Sequence, residues 1–218
     1  TVLAIVANGE VSGSAATGDQ VTVVLDHTPF YAEMGGQVAD HGLLTNDKGL
    51  VVRISDVQKT KDGKFMHIGV VESGVIAVDD LVDAAIDTAR RQAIARSHTA
   101  THLLQKALRM VLGTHVEQAG SYTDADHVRF DFTHFAAVTQ EELVKIEDIV
   151  NDAIFAAYPV ITEEMPIDEA KKRGAMALFG EKYGSTVRVV QAGDFSIELC
   201  GGTHLTNTAQ AGMVKVIS

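Results

Sequence analysis

Short runs in which apolar and polar residues alternate fill the first 87 positions: TVLAIV from Thr1, QVTVVLD from Gln20, GLVVRISDV from Gly49, FMHIGVV from Phe65 and LVDAAID from Leu81. A period of two puts successive side chains on opposite faces of a strand, so each run predicts one. Turn signals at Asn8-Gly9, Asn46-Asp47-Lys48-Gly49 and Lys61-Asp62-Gly63 separate them. Many short strands joined by hairpin turns read as a small β-barrel over residues 1–87. At about residue 88 the pattern changes. Residues 88–112 carry few glycines and many alanine, leucine, arginine and lysine residues, with Ile94, Leu104, Leu108 and Val111 as an apolar stripe and Gly113 as a stop. HVRFDFTHF then alternates as a strand, and Thr139 followed by Glu142 is a capping box for a helix that reaches about Tyr158 and ends at Pro159. VITEEMPI, TVRVVQ, FSIELC and GMVKVIS read as further strands and DEAKKRGAM as a short helix. Residues 88–218 therefore form a second domain, and the chain is of the α+β class, with helices packed on a mostly antiparallel sheet.

Composition narrows this picture. With 46% hydrophobic residues the chain of 218 can bury a real core in one or two domains. No run of about 18 apolar residues occurs and the start lacks the basic-then-apolar order of a signal peptide, so neither membrane nor secretion is indicated and a cytoplasmic setting is expected. The formal net charge of -11 argues against nucleic-acid binding by bulk electrostatics. The local basic groups are Arg90, Arg91, Arg96, Lys106 and Arg109, then Lys171, Lys172 and Arg173. Solvated helix faces explain such clusters more often than phosphate contacts do.

Candidate chemistry centres on RSHTATHLL. His98 and His102 stand four apart on the predicted helix, so their rings share a side and can converge on one ion. The glutamate of the H-E-x-x-H zinc proteases is missing, which argues against peptidase activity by that route. Nearly a hundred residues later, Cys200 and His204 are again four apart in ELCGGTHL, here around two glycines that favour a tight turn. A lone cysteine cannot form an internal disulfide; it is a buried thiol, a reactive thiol or a ligand. Its matched spacing with His204 favours the ligand, giving a His3Cys set suited to tetrahedral zinc. His27, His41, His67, His115, His127 and His134 show no such spacing and read as ordinary.

RSHTATHLLQKALRMVLGTHVEQAGS, VRFDFTH, FGEKYGSTVRVV and FSIELCGGTH, with FYAEMGGQVAD at residues 30–40, together resemble the editing region of bacterial alanyl-tRNA synthetases. The likeness runs over nearly the whole chain with its motifs in the family's order. Threonyl-tRNA synthetases and freestanding alanyl-tRNA editing proteins share the H-x-x-x-H and C-x-x-x-H core, whereas the FYAEMGGQ loop is similar to the alanyl type. The resemblance implies a hydrolase that deacylates tRNA(Ala) mischarged with serine or glycine, with zinc held by His98, His102, Cys200 and His204. It places Thr101 and Gln118 on the aminoacyl pocket and Gly35, Gly36 and Gln37 in a glycine-rich loop facing the cleft. Taken without it, Thr101 reads as a helix hydroxyl bonding its own backbone, Gln118 as a solvated loop residue and the glycine pair as a turn. Main-chain amides near Gly201 and Gly202 are candidates for stabilising developing charge; no acid stands out as a general base.

Other readings remain at this point: a freestanding editing protein, or a non-catalytic zinc-stabilised module that binds tRNA or a protein. A chain starting without methionine and stopping at GMVKVIS reads as a piece of a longer synthetase, lacking the aminoacylation core and the C-terminal domain. Its expected partners are the other synthetase domains and tRNA(Ala), the latter held weakly, with Kd above about a micromolar at physiological salt.

Overall fold

The computed structural model of the chain describes residues 1–176 and 184–217. It has two compact units, Thr1–Met34 with Val38–Arg91, and Gly35–Gln37 with Gln92–Ser218. Helices and antiparallel sheets are both present, as the α+β class requires. No helix among the described residues is long and apolar enough to cross a membrane.

The first unit contains the strands β1 (Val2–Ala7), β2 (Glu10–Ser12), β3 (Ser14–Ala16), β4 (Gln20–Leu25), β5 (Gly42–Thr45), β6 (Val51–Lys59), β7 (Phe65–Ser73), β8 (Val75–Ala77) and β9 (Asp83–Ile86). Seven of them form one antiparallel sheet in the order β2-β1-β4-β7-β6-β5-β9, and β3 pairs with β8. The edges of that sheet are β2 and β9; the closure that a barrel needs is not among the described pairings. Asn8 and Gly9 take φ of 51° and 88° in the two-residue turn between β1 and β2, which is why that pair marks a hairpin. Alternation buries Val21, Val23 and Leu25 of β4. On β6 the buried positions are Val52, Ile54 and then Val57, slipping one place at the register shift between Ile54 and Asp56. This bulge keeps both halves of the strand turned to one core, which also holds Val2, Ile5, Leu44 and Ile76. His67 sits there fully buried with both ring nitrogens satisfied: Nδ1–H donates to the Val23 carbonyl at 2.9 Å and Nε2 accepts from the Thr28 hydroxyl at 2.7 Å.

The second unit takes most of helix α1 (Thr88–Leu112), the hairpin of β10 (Gln118–Thr123) and β11 (Val128–Phe132), helix α2 (Gln140–Phe155), then β12 (Val160–Pro166), α3 (Ile167–Lys172), β13 (Thr186–Ala192) and β14 (Ser196–Leu199). The last three strands form an antiparallel sheet in the order β12-β13-β14. Its two faces serve two cores. Val190 and Ala192 pack with Leu103, Ala107 and Leu108 of α1 and Ile146, Val150 and Ile154 of α2, whereas Val187 and Val189 pack with Met165, Leu199 and Ala170 of α3. Thr139 caps α2 as its capping box predicts: its hydroxyl accepts from the Glu142 amide while the Glu142 carboxylate accepts from the Thr139 amide.

Of the predicted apolar stripe of α1, Ile94 and Leu108 are buried, and Leu104 and Val111 are half-buried against the core that Leu103, Ala107 and Leu108 enter. GMVKVIS is not a strand over residues 212–217. The amides of Val214 and Val216 donate to Asn151 Oδ1 (2.9 Å) and Glu147 Oε2 (2.7 Å) of α2, so side chains take the bonds a ladder would have used. Of FGEKYGSTVRVV, residues 179–183 lie outside the described residues.

Removing the α2 cap by Thr139→Ala should cost about 1 kcal/mol. Ile146→Ala, emptying a fully buried site, should cost about 2–5 kcal/mol, both read from urea unfolding of the purified chain.

Candidate metal centre

Helix α1 presents His98 and His102 one turn apart, at 8% and 6% exposure. Across from them the chain leaves β14 and turns through Cys200, Gly201, Gly202 and Thr203 to His204. One ligand atom from each of His98, His102, Cys200 and His204 lies within 4.8 Å of the others, a group that could hold a metal ion. Cys200 Sγ is 3.4 Å from His98 Nε2 and 3.3 Å from His204 Nε2. A tetrahedral centre with metal–sulfur near 2.3 Å and metal–nitrogen near 2.0–2.1 Å would separate such atoms by about 3.5 Å, so the donor set fits a nitrogen- and sulfur-bound metal.

The turn must come very close to the helix for this. A Cβ on Gly202 would fall 2.1 Å from His98 Cε1 and 2.9 Å from Gln37 Oε1, so only glycine leaves room. The Gly202 amide points at Cys200 Sγ at 3.4 Å. Arg188 of β13 holds the turn from its other side, donating through Nη1 to the carbonyls of Cys200 (2.9 Å) and Gly202 (2.6 Å).

His98 and His204 turn Nε2 toward Cys200 Sγ, and each has a hydrogen-bond partner at its Nδ1. His98 Nδ1–H donates to Gln37 Oε1 at 2.6 Å, and the Thr203 amide donates to that same oxygen at 2.9 Å. His204 Nδ1–H donates to Thr99 Oγ1 at 3.1 Å, which also accepts from the Leu205 amide. His102 Nδ1 faces Glu198 Oε2 at 3.8 Å. Such outer partners fix the ring orientation and tautomer of metal-binding histidines. Burial lowers the pKa of all three rings: His98 to about 4, with Arg188 adding to the effect, and His102 and His204 well below the ordinary 6.5, with the neighbouring imidazoles and Arg188 adding. Neutral rings are the form that binds metal. Burial pushes Glu198 the other way, up to about 8, against a smaller pull from Arg109, and its Oε1 has no hydrogen-bond partner.

Thr101 is buried and its hydroxyl donates to the Ser97 carbonyl at 2.9 Å, the ordinary helix-backbone bond. Gln118 opens β10 and donates from Nε2 to Ser121 Oγ at 3.2 Å. Gly36, at φ 84°, runs against the same hairpin: its carbonyl accepts from the Thr123 amide, and a Cβ there would meet the Ser121 carbonyl oxygen at 2.4 Å. Gly35 has φ 61°, and its carbonyl lies 3.5 Å from Ser121 Oγ. Gln37, 1% exposed, also donates from Nε2 to Thr203 Oγ1 at 3.0 Å. Sequence reasoning passed over Thr99, Arg188 and Glu198. Only Glu198 left a usable signal, an acid two residues before the cysteine in an otherwise apolar strand.

Residues 1–90 match the model of class II (A) tRNA synthetases, and residues 187–218 match the second additional domain of threonyl and alanyl tRNA synthetases. Over 217 residues the chain is 57% identical to the alanine–tRNA ligase of Acetivibrio thermocellus, covering all of this chain and 24% of that protein. The chain belongs to the alanyl-tRNA synthetase family. Other members similar along the whole chain are the alanine–tRNA ligases of Exiguobacterium sibiricum, 54% identical with 24% covered, and Bacillus subtilis, 52% identical with 25% covered. This member thus spans about a quarter of the length of the curated relatives it matches.

Two outcomes follow from the geometry. Gln37→Ala should weaken metal binding about 10- to 100-fold, measured by competition with a chromophoric chelator, without loss of helix content. In the metal-free chain, unfolding returns the three rings to a pKa of 6.5, so below that value the unfolded state binds more protons and acidification destabilises the fold. Glu198 has the opposite sign, since folded chains keep its proton up to about pH 8 while unfolded ones lose it near 4.5. Thermal midpoints should therefore peak near neutrality, and Glu198→Gln should remove the alkaline decline while leaving the acid one.

Proposed function

We propose that the chain is an editing hydrolase that deacylates tRNA(Ala) carrying serine or glycine, with residues 1–87 as a small β-barrel domain and residues 88–218 as the editing core. The observation that carries this reading is the His3Cys cluster, built on a segment that aligns along its whole length with alanine–tRNA ligases. The need for such an activity is physical: a site shaped for alanine excludes larger side chains but rejects glycine, and serine with its one added hydroxyl, only poorly.

His98, His102, Cys200 and His204 would hold zinc; with all four bound the ion would position the turn and the helix at the pocket, and with one donor released it would supply a Lewis-acidic charge at the ester. Gln37 and Thr99 keep the rings of His98 and His204 aimed inward, and Glu198 stands 3.8 Å from the outer nitrogen of His102. Hydrolysis adds water across the ester, returning a hydrogen to the ribose oxygen and freeing the amino acid. Glu198, held uncharged by burial at neutral pH, adds no negative charge beside an oxygen that gains it. Thr101 and Gln118 offer a hydroxyl and an amide to the α-amino group or the seryl hydroxyl; Thr101 keeps acceptor capacity after its bond to Ser97. Partners are tRNA(Ala) and the remaining domains of a cytoplasmic synthetase, and aminoacylation is not assigned to these residues.

Seryl-tRNA(Ala) should be hydrolysed in molar excess over the chain, and both chelation and Cys200→Ala should abolish turnover. Full activity of Cys200→Ala, or stoichiometric protection of the ester in place of turnover, would sink this reading.

A further inference from the structure

Five polar side chains are buried along α1: His98, Thr99, Thr101, His102 and Gln105. The first four have partners. His98 bonds Gln37, Thr99 bonds His204 and the Leu205 amide, Thr101 bonds the Ser97 carbonyl, and His102 faces Glu198. Gln105, 6% exposed, makes no hydrogen bond and no ion pair among the described residues. Its amide is nevertheless within reach of a visiting molecule. The side-chain atoms that are both sealed from solvent and unpaired are Ser196 Oγ and Glu198 Oε1, so the small exposure of Gln105 includes its amide nitrogen and oxygen. A glutamine without a protein partner is ordinary on a solvated helix face, but in a buried position the unpaired amide is costly, and a ligand that bonds it relieves the cost.

Helix phase aims this amide at the cluster. Gln105 follows His98 by seven residues, Thr101 by four and His102 by three. Seven residues are close to two full turns, so Gln105 shares the stripe of His98, and the four-residue step sets it beside Thr101. Leu103 and Ala107, which pack with α2, fall on the opposite side of the helix. Helical side chains lean toward the N-terminus, so the long side chain of Gln105 is carried back over the turn that holds Thr101 and His102.

We infer that Gln105 is a specificity-determining residue of the aminoacyl pocket, its side-chain amide bonding the hydroxyl of a seryl group. The inference rests on the proposed hydrolase reading. Both polar atoms of the amide are unclaimed, one a donor and one an acceptor, and a hydroxyl is the substrate group that both donates and accepts. An α-ammonium only donates and would leave the nitrogen end of the amide unused. Thr101 cannot take over this task, because its hydroxyl hydrogen is committed to the Ser97 carbonyl and only its acceptor capacity remains. Glycine and alanine present no side-chain group to the amide, so the contact favours serine over both.

Two measurements on the full chain decide it. The ratio of kcat/KM for seryl-tRNA(Ala) to that for glycyl-tRNA(Ala) should fall about 3- to 10-fold in Gln105→Met, the loss expected for one neutral hydrogen bond when side-chain length is kept. A residue that only supported the fold would lower both esters together and leave the ratio where it was. The second measurement uses the unaltered chain and so does not depend on how the variant folds. Serine joined through an amide to 3′-amino-3′-deoxyadenosine, a mimic without the ester, should shift the side-chain NH2 resonances of Gln105, assigned by their loss in Gln105→Met. The glycine counterpart should leave them in place. A constant ratio overturns the inference, as do resonances that move equally with both mimics or with neither. A chain that hydrolyses both esters at a ratio indifferent to Gln105 keeps the hydrolase reading and loses this contact. One that hydrolyses neither, yet shows the serine-specific shift, loses the hydrolase reading and keeps the contact.

Discussion

Three imidazoles and a thiol packed together, His98 and His102 buried and Cys200 and His204 partly so, place one demand on everything around them: each ring needs a partner for its outer nitrogen, or it is free to rotate and the cluster has no fixed shape. The second unit meets this demand by hydrogen bonds for His98 and His204 and sets a carboxyl 3.8 Å from the outer nitrogen of His102. Gln37 comes from the Gly35–Gln37 segment, Thr99 from the helix that carries two of the rings, and Glu198 from the strand that leads into the turn. Gln37 Oε1 is the junction, accepting at once from His98 and from the backbone of Thr203, so helix and turn are referred to a single oxygen.

Electrostatics around the cluster follow from the same burial. The imidazoles lose their affinity for protons, Glu198 loses its tendency to ionise, and Arg188 stands as the nearby fixed charge, its guanidinium spent on two carbonyls of the turn. A cation beside the rings disfavours their protonation, and its bonds to Cys200 and Gly202 hold the thiol in place. A centre of neutral donors with one ionisable sulfur is suited to a divalent ion, since little negative charge must be brought out of water to make it.

What the sequence made legible was whatever depends on short-range periodicity. Alternation located β4, β6 and β7, the capping box located α2, and two four-residue spacings picked out all four members of the cluster. The failures share a cause. GMVKVIS has the pattern of a strand, but its amides are claimed by Asn151 and Glu147, a competition that only tertiary structure reveals. Leu103, fully buried, is absent from the stripe read from the sequence, because buried histidines and threonines share the inward face of the helix and blur its apolar period. Gln37 and Thr99 gave no signal as ring partners, since nothing in a linear sequence joins a glutamine to a histidine sixty-one residues away.

The crowding at Gly202 has a genetic side. Every glycine codon begins with two guanines, and any single-base change that replaces the residue introduces an amino acid with a Cβ. The nearest foreign atom to that carbon belongs to a ring of the cluster, 2.1 Å away. No replacement one mutational step away from Gly202 can therefore leave the turn where it is, and a lineage that kept the cluster would have had no neighbouring sequence at this position through which to drift.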